Sequence, residues 1–350
     1  MKKYILPNEV NWYRANMHCH STISDGSLTI EEIKDAYKSQ GYSVVAYTDH
    51  EIVLDHSDLN DDDFLAITSS EYSITESFAS VPSATGSKGN NPWSRKKTVH
   101  LCIYSKDPHN EFQPGADDDS FRWVQGGIHT GKNKCDGYHR EYTKESINET
   151  IKRCNEAGFL VQLNHPNWSL NDRRDYEGLE GLWGLEILNY ATELLTGAEY
   201  CPYIYDDMVR CGMHKLHCTM GDDNHNKDKS LTQSFGGSTF IGAKELKYDQ
   251  IISALEKGEF YCASGKNPPR IKSLYVEDNV IKIDCTEATD IIVTGYGRSW
   301  QNVTGNFITH AEFPLRLNDV FFRVTVRDMF GNNAHTNYYK VKDFYEEIKQ

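Results

Sequence analysis

The sequence predicts an α/β fold: a barrel of the triosephosphate isomerase type, or a distorted relative of it, followed by a small antiparallel β-sandwich. Three observations predict it. From residue 14 to about 264, short β-like runs alternate with helix-like runs, which implies parallel strands joined by helical crossovers. After Ser264-Gly-Lys-Asn-Pro-Pro269 the helix-like runs stop and β-branched residues alternate with polar ones. Candidate metal ligands fall where the strands should end, and in such a barrel the catalytic groups lie at strand C-termini.

The elements follow in order. Residues 15 to 19 make a first strand. Thr29-Ile-Glu-Glu32 has the spacing of a capping box, with Ile30, Ile33 and Tyr37 on one helical face and Gly41 as the stop. Ser43 to Thr48, Phe64 to Ser69 and Val99 to Tyr104 read as strands. A helix around Ile147 to Cys154 closes at Gly158, and the strand Phe159 to Leu163 follows. Gly184 to Leu188 and Leu216 to Met220 read as further strands, and Ile251 to Leu255 as a late helix. Residues 81 to 97 and 105 to 140 break the rhythm and read as long surface loops. The second is expected either to roof an active site or to be a plain excursion. The predicted division is residues 1–265 for the barrel and 270–350 for the sandwich, whose strands are Ile271 to Val276, Val280 to Asp284, Ile291 to Thr294, Phe321 to Val326 and Tyr338 to Val341.

Composition narrows the function. The 350 residues include 37 basic and 51 acidic side chains, a net charge of −14. That balance disfavours nucleic acid and anionic membranes as partners, because both are bound by lysine and arginine. The nine cysteines are odd in number and never spaced Cys-x-x-Cys, which argues against a disulfide framework and fits reduced thiols in the cytoplasm. The apolar run after Met-Lys-Lys-Tyr is too short for a signal peptide, and no stretch is long enough for a transmembrane helix.

The chemistry rests on His18-Cys-His20, Asp25, Asp49-His50, Glu71, His100, His165 and Asp223-Asn-His225. Histidines two apart on a strand share a face, so His18 and His20 form a compact half-site. Imidazole and carboxylate are what borderline divalent metals take, and the set is too large for one ion. Several metals in one site point to hydrolysis.

His18-x-His20, Asp25-Gly26, Thr48-Asp49-His50, Ser70-Glu71, His100-Leu101, Asn164-His165-Pro166 and Gly221-Asp222-Asp223-Asn224-His225 resemble, in that order, the motifs of the polymerase and histidinol phosphatase (PHP) family. The resemblance spans residues 15 to 264. It implies a distorted seven-stranded β/α barrel and hydrolysis of phosphate esters with two or three divalent metals. Gly258-Glu-Phe-Tyr-Cys-Ala-Ser264-Gly265 and the β-rich tail further resemble a two-domain branch of PHP-like metal-dependent phosphoesterases.

Carried over by residue, the resemblance implies one metal at His18, His20, Glu71 and Asp223. A second would share Glu71 with His100 and His165, and a third would take Asp25, His50 and His225. Aspartate at position 222 departs from the family, which more often has serine there. The spacing to His225 favours Asp223 as the ligand. Zinc, manganese and iron all suit the set. Hydroxide generated between two ions would attack phosphorus in line. Asp49 is expected to orient a histidine through its ring N–H. Arg173 and Arg174 follow His165 in a loop, where either could grip phosphate or be a solvated charge. Trp168 would wall the pocket or pack the loop, and Glu186 is expected to support the site from behind.

Other signals fail. Gly126-Gly-Ile-His-Thr-Gly131-Lys132-Asn133 has phosphate-loop spacing but lacks the terminal hydroxyl residue and a preceding strand. His56, His109, His129, His139, His214, His217, His310 and His335 lack consistent partners. The expected function is a metal-dependent phosphoesterase for a small phosphorylated metabolite or nucleotide-like ester. The alternatives are an exonuclease or amide hydrolase on the same metals, or a silent scaffold that binds through its sandwich. The sandwich is expected to cover a barrel face or to join copies into a homo-oligomer.

Overall fold

The computed structural model describes residues 2–77, 95–123 and 134–346. The phosphate-loop lookalike at 126–133, His129 and most of the expected loop 81–97 lie outside the described residues. Within them the chain runs β1 (Lys3–Tyr4), β2 (Asn11–Asn16), α1 (Ile30–Ser39), β3 (Val44–Tyr47), β4 (Leu65–Thr75), β5 (Thr98–Ser105), α2 (Lys144–Glu156) and β6 (Phe159–Leu163). It continues through α3 (Arg173–Tyr176), β7 (Gly184–Asn189), α4 (Tyr190–Thr196), α5 (Pro202–Arg210), β8 (His217–Gly221), β9 (Gly237–Ala243), α6 (Tyr248–Lys257) and β10 (Phe260–Ser264). Last come β11 (Ile271–Glu277), β12 (Val280–Gly295), β13 (Trp300–Pro314), β14 (Phe321–Arg327), β15 (Asn333–Thr336), β16 (Tyr339–Lys340) and α7 (Val341–Phe344).

Local chemistry explains the helices that the pattern finds. On α1 the Thr29 side chain accepts from the Glu32 amide at 3.2 Å and the Glu32 carboxylate accepts from the Thr29 amide at 3.0 Å. Ile33 and Tyr37 point into the core. Thr143 caps α2 in the same sense, and α6 ends at Gly258 in the left-handed region, which glycine enters without a Cβ penalty.

The strands form one large mixed sheet in the order β1-β11-β12-β14-β15-β10-β9-β2-β3-β4-β5-β6-β7-β8, with β13 on β12 and β16 on β14. The run β2-β3-β4 is parallel, as is β6-β7-β8. The all-parallel expectation fails at β5, which is antiparallel to both β4 and β6, and at β9, antiparallel to β2 and β10. The sheet curls until β8 lies against β9, where the Thr239 hydroxyl donates to the Met220 carbonyl at 3.3 Å.

After residue 270 every pairing is antiparallel, as alternation without helices predicts. Its strands continue the same sheet, because β15 pairs with β10 through Cys262 opposite His335. An apolar cluster crosses the same junction, joining Phe240 and Tyr261 to Leu274, Ile283, Ile291 and Val324. Each such aliphatic side chain, fully buried, contributes about 1.5–3 kcal/mol relative to exposure. Strand β13 escapes the pattern because most of its residues are exposed on both faces.

Candidate metal centre

The donors gather where chain segments continue past the ends of β2 and β8. Beyond Asn16 the backbone stays extended, and Cys19 bridges to Asn224 in parallel. The Asp223 amide donates to the His18 carbonyl at 2.9 Å, and the His20 amide to the Asn224 carbonyl at 3.2 Å. On the other side the Thr48 amide donates to the Cys19 carbonyl at 2.8 Å, and His50 bridges to Glu71. Three short segments thus bring His18, His20, His50, Asp223 and His225 side by side.

Two donors do not sit at strand C-termini as expected. Glu71 is inside β4, and His100 is near the start of β5. Their meeting follows from the antiparallel register: Ser73 lies opposite His100 and Glu71 opposite Cys102, so all four side chains share one face.

The Glu71 carboxylate is the hub. Its Oε1 lies 3.2 Å from His18 Nε2, 3.1 Å from His100 Nδ1 and 3.0 Å from His165 Nε2. Its Oε2 lies 3.4 Å from His20 Nε2 and 3.2 Å from His50 Nδ1. Asp223 Oδ1 is 2.9 Å from His20 Nε2, and Asp25 Oδ2 is 3.3 Å from His225 Nε2. Burial opposes charge on His18, His20 and His165, yet the neighbouring carboxylates hold their pKa values up. The imidazoles in turn hold Glu71 and Asp223 well below the usual carboxylate range, against burial. His50 goes the other way: burial, then the His20 charge, pushes it to about 3.

This donor set fits divalent cations. Ligand-capable atoms lie within 4.8 Å of one another in four groups: His18, His20, Glu71 and Asp223; Glu71, His100 and His165; His20, Asp25, His50 and His225; and His18, His165 and Glu186. His50 Nδ1 and Asp223 Oδ1 are buried and, although close to Glu71 and His20, make no well-aligned hydrogen bond among the described residues; a cation would satisfy both. The nine residues named from the sequence are all brought together.

The supporting residues differ from expectation in part. Asp222 turns away, accepting from the Tyr37 hydroxyl and the amides of Phe235, Gly236 and Gly237 at 2.7–2.9 Å. Among the described residues Asp49 makes no hydrogen bond to an imidazole, contrary to its expected role. It accepts from the amides and hydroxyls of Ser21 and Ser24, and so pins the turn between His20 and Asp25. Glu186 orients a histidine instead. Its Oε1 is 3.0 Å from His18 Nδ1, which turns Nε2 toward the centre, and its Oε2 accepts from the His165 amide at 3.1 Å. Gly221 is required here, since a Cβ would come within 2.8 Å of both Glu186 Oε1 and His18 Cβ.

A cavity of about 1350 Å³ opens over the cluster, lined by Glu71, His100, His165 and Asp223 below and by Asp117, His139 and Arg140 from the 105–140 segment. Part of that segment therefore walls the site. Trp168 lines the cavity and also packs edge-on against His165 and His100, with ring centroids 5.0 and 5.6 Å away. Arg173 and Arg174 do not reach the cavity. They open the exposed helix α3, where Arg173 pairs with Glu177 and Arg174 with Asp172. The capping box that starts α3 at Asp172 holds them outward.

Arg140 is the cationic residue that the sequence did not reveal. It is buried beside the cavity, paired with Glu51, and its guanidinium carbon lies 4.5 Å from the Tyr72 ring centroid. Its Nη1 has no hydrogen-bond partner among the described residues. Glu51, next to His50, ties this arginine to β4 by accepting from the Ser73 amide at 2.8 Å.

Fold and site together define an α/β protein with a candidate metal centre of histidines and carboxylates. No family model matches the chain, and no curated protein matches it. Among solved structures it is similar to a two-domain protein containing a predicted PHP-like metal-dependent phosphoesterase from Bacteroides vulgatus, at 13% identity and TM-score 0.45, covering 97% of each chain. It is also similar to a protein assigned as a metal-dependent phosphoesterase from Bifidobacterium adolescentis, at 17% identity and TM-score 0.39, over 61% of this chain and 88% of that one. A third is an amidohydrolase from Chromobacterium violaceum with bound sulfate and no metal, at 15% identity and TM-score 0.39, over 70% of this chain and 96% of that one. Among the described residues no helix is long and apolar enough to cross a membrane.

Proposed function

We propose that the protein is a metal-dependent phosphoesterase acting on a small phosphorylated metabolite or nucleotide-like ester, with two or three zinc, manganese or iron ions. In this reading the curled part of the sheet is a distorted β/α barrel over residues 1–265, and residues 270–350 are a β-sandwich appended to it. The observation that carries the proposal is the convergence of five imidazoles on the one Glu71 carboxylate beneath an open cavity. The ordered PHP-like motifs support the same reading.

Bound divalent ions would supply Lewis-acid activation of water and neutralise phosphoryl oxygens. The chain's own residues do the rest. Glu71, with His18, His100 and His165 at one oxygen and His20 and His50 at the other, would help hold the ions. Glu186 fixes the His18 ring so that Nε2 faces the centre. Arg140 offers a guanidinium edge to an anionic oxygen, with Glu51 holding it in place. Trp168 keeps solvent from the His100 and His165 side.

The test is metal analysis together with a phosphate-release screen over small mono- and diesters. The metal-loaded protein should release phosphate from at least one, and Glu71→Gln should lower both bound metal and rate, the rate by roughly a thousandfold. A metal-loaded parent that hydrolyses none of the panel overturns the reading.

A further inference from the structure

A second cavity, of about 770 Å³ and so within the size range of small-ligand pockets, is lined by Arg14 of β2 and by the β10–β11 link. It carries a charge imbalance opposite to that of the whole chain. Arg14, Lys266, Arg270 and Lys272 line it, in a protein whose net charge is −14. Among the described residues none of the four makes an ion pair. Of the two carboxylates in its wall, Asp328 is already engaged, accepting from the Phe330 and Asn332 amides and the Asn332 side chain at 2.8–2.9 Å. Two acidic groups, Glu287 and Asp328, thus stand against four cations.

The two guanidinium groups are not free surface charges. Arg14 is buried, with its guanidinium carbon 4.0 Å from the Tyr42 ring centroid, and it bonds only neutral acceptors. Its bond to the Ser238 hydroxyl is 2.8 Å, but those to the carbonyls of Gln40, Phe235 and Gly265 stretch to 3.3–3.5 Å, long for a charged donor. Arg270 lies over Phe240, 3.8 Å from its centroid. Burial, and then the charge of Arg14, lower its pKa, with Tyr261 opposing. Two neighbouring like charges, partly withdrawn from water and without an ion-pair partner among the described residues, are costly unless something anionic joins them. The cavity wall also carries Phe307, Met329 and Phe330, exposed at 64%, 64% and 81%, so the anion's neighbourhood is apolar as well as basic.

We infer that this cavity binds a small organic anion, a carboxylate, sulfonate or phosphate group seated on Arg14 and Arg270 with a ring or aliphatic body against Phe307, Met329 and Phe330. The site is separate from the metal centre in its residues and in its charge. Because Arg14 comes from β2 and Arg270 from the link into β11, a bound anion would tie the two halves of the chain together.

The probes are benzenesulfonate and methanesulfonate, neither of which a phosphoesterase consumes, titrated into the full-length, metal-loaded protein by calorimetry. Benzenesulfonate should bind one per chain and more tightly than methanesulfonate. Arg270→Gln should weaken it by at least about tenfold, with Arg270→Lys intermediate. Phe330→Ser should weaken benzenesulfonate by about threefold and leave methanesulfonate unchanged. Phosphate release should be the same in Arg270→Gln as in the parent. Benzenesulfonate should also raise the melting temperature of the parent and not that of Arg270→Gln, which reads the site even if the variant's own stability differs. Absence of saturable binding up to about 20 mM, or binding that Glu71→Gln abolishes and Arg270→Gln does not, overturns the inference.

Discussion

The two cavities solve opposite problems with residues from the same strand. His18, just past β2, enters a cluster of imidazoles and carboxylates whose ligand-capable atoms lie within 4.8 Å of one another, a donor set suited to cations. Arg14, four positions earlier, enters a pocket where its guanidinium finds, among the described residues, only neutral acceptors. Burial is common to both and decides neither. What differs is whether the lining groups offer lone pairs or N–H bonds, and that indicates the ligand.

His217 calibrates the comparison, because it is buried apart from both cavities, between Trp183 and Phe260. There burial, only partly offset by Asn337, lowers its pKa from 6.5 to about 4, while the carboxylates around His18 raise that ring's pKa despite burial. Because the folded value lies below the unfolded one, the unfolded chain takes up the proton first. The stability from neutral His217 is complete above about 6.5 and is lost as pH falls toward 4, up to about 3 kcal/mol. Urea denaturation at pH 7.5 and 5.0 checks this: His217→Gln should lose less stability between the two than the parent does. An equal loss would mean that burial does not set the ring's charge.

A smaller effect is expected from Glu186→Gln. If the His18 ring is held by that carboxylate, metal affinity should fall by about 10–100-fold with the fold intact, measured by competition with a chelator. Unchanged affinity would leave Glu186 as packing. Smallest is Arg140→Lys, which keeps the charge but loses the fork. It should raise KM for a hydrolysed ester by about tenfold while bound metal stays constant. A loss of metal instead would place Arg140 in the cation-binding half of the comparison.

How far these features could be read from the sequence depends on their range. The capping box at Thr29 and Glu32 is a four-residue device, and its spacing alone reveals it. The preference for Asp223 over Asp222 is likewise local, resting on the two-residue step to His225, and the structure turns Asp222 toward Tyr37 instead. Glu71 and His100 were legible as residues, but as neighbours only through the family resemblance, because no local pattern shows β5 reversing direction. Asp49 was misread because nothing local tells whether a carboxylate faces an imbalance of imidazoles or the hydroxyls of Ser21 and Ser24. Arg140 was invisible for a stronger reason. Its partner Glu51 is 89 positions away, and only the folded chain makes that pair.

The ladder that Tyr261, Cys262 and Ala263 share with Thr336, His335 and Ala334 also governs how the chain can be divided. Pro268 and Pro269 look like a natural place to cut, and a protease that nicked there would leave two pieces still clasped along that ladder. Expressed apart, each piece would instead bear a raw strand edge, β10 on one and β15 on the other, open to pairing with any extended chain it met. The apparent hinge in the sequence is therefore spanned by a seam in the sheet, and the two halves are best thought of as having to be made together.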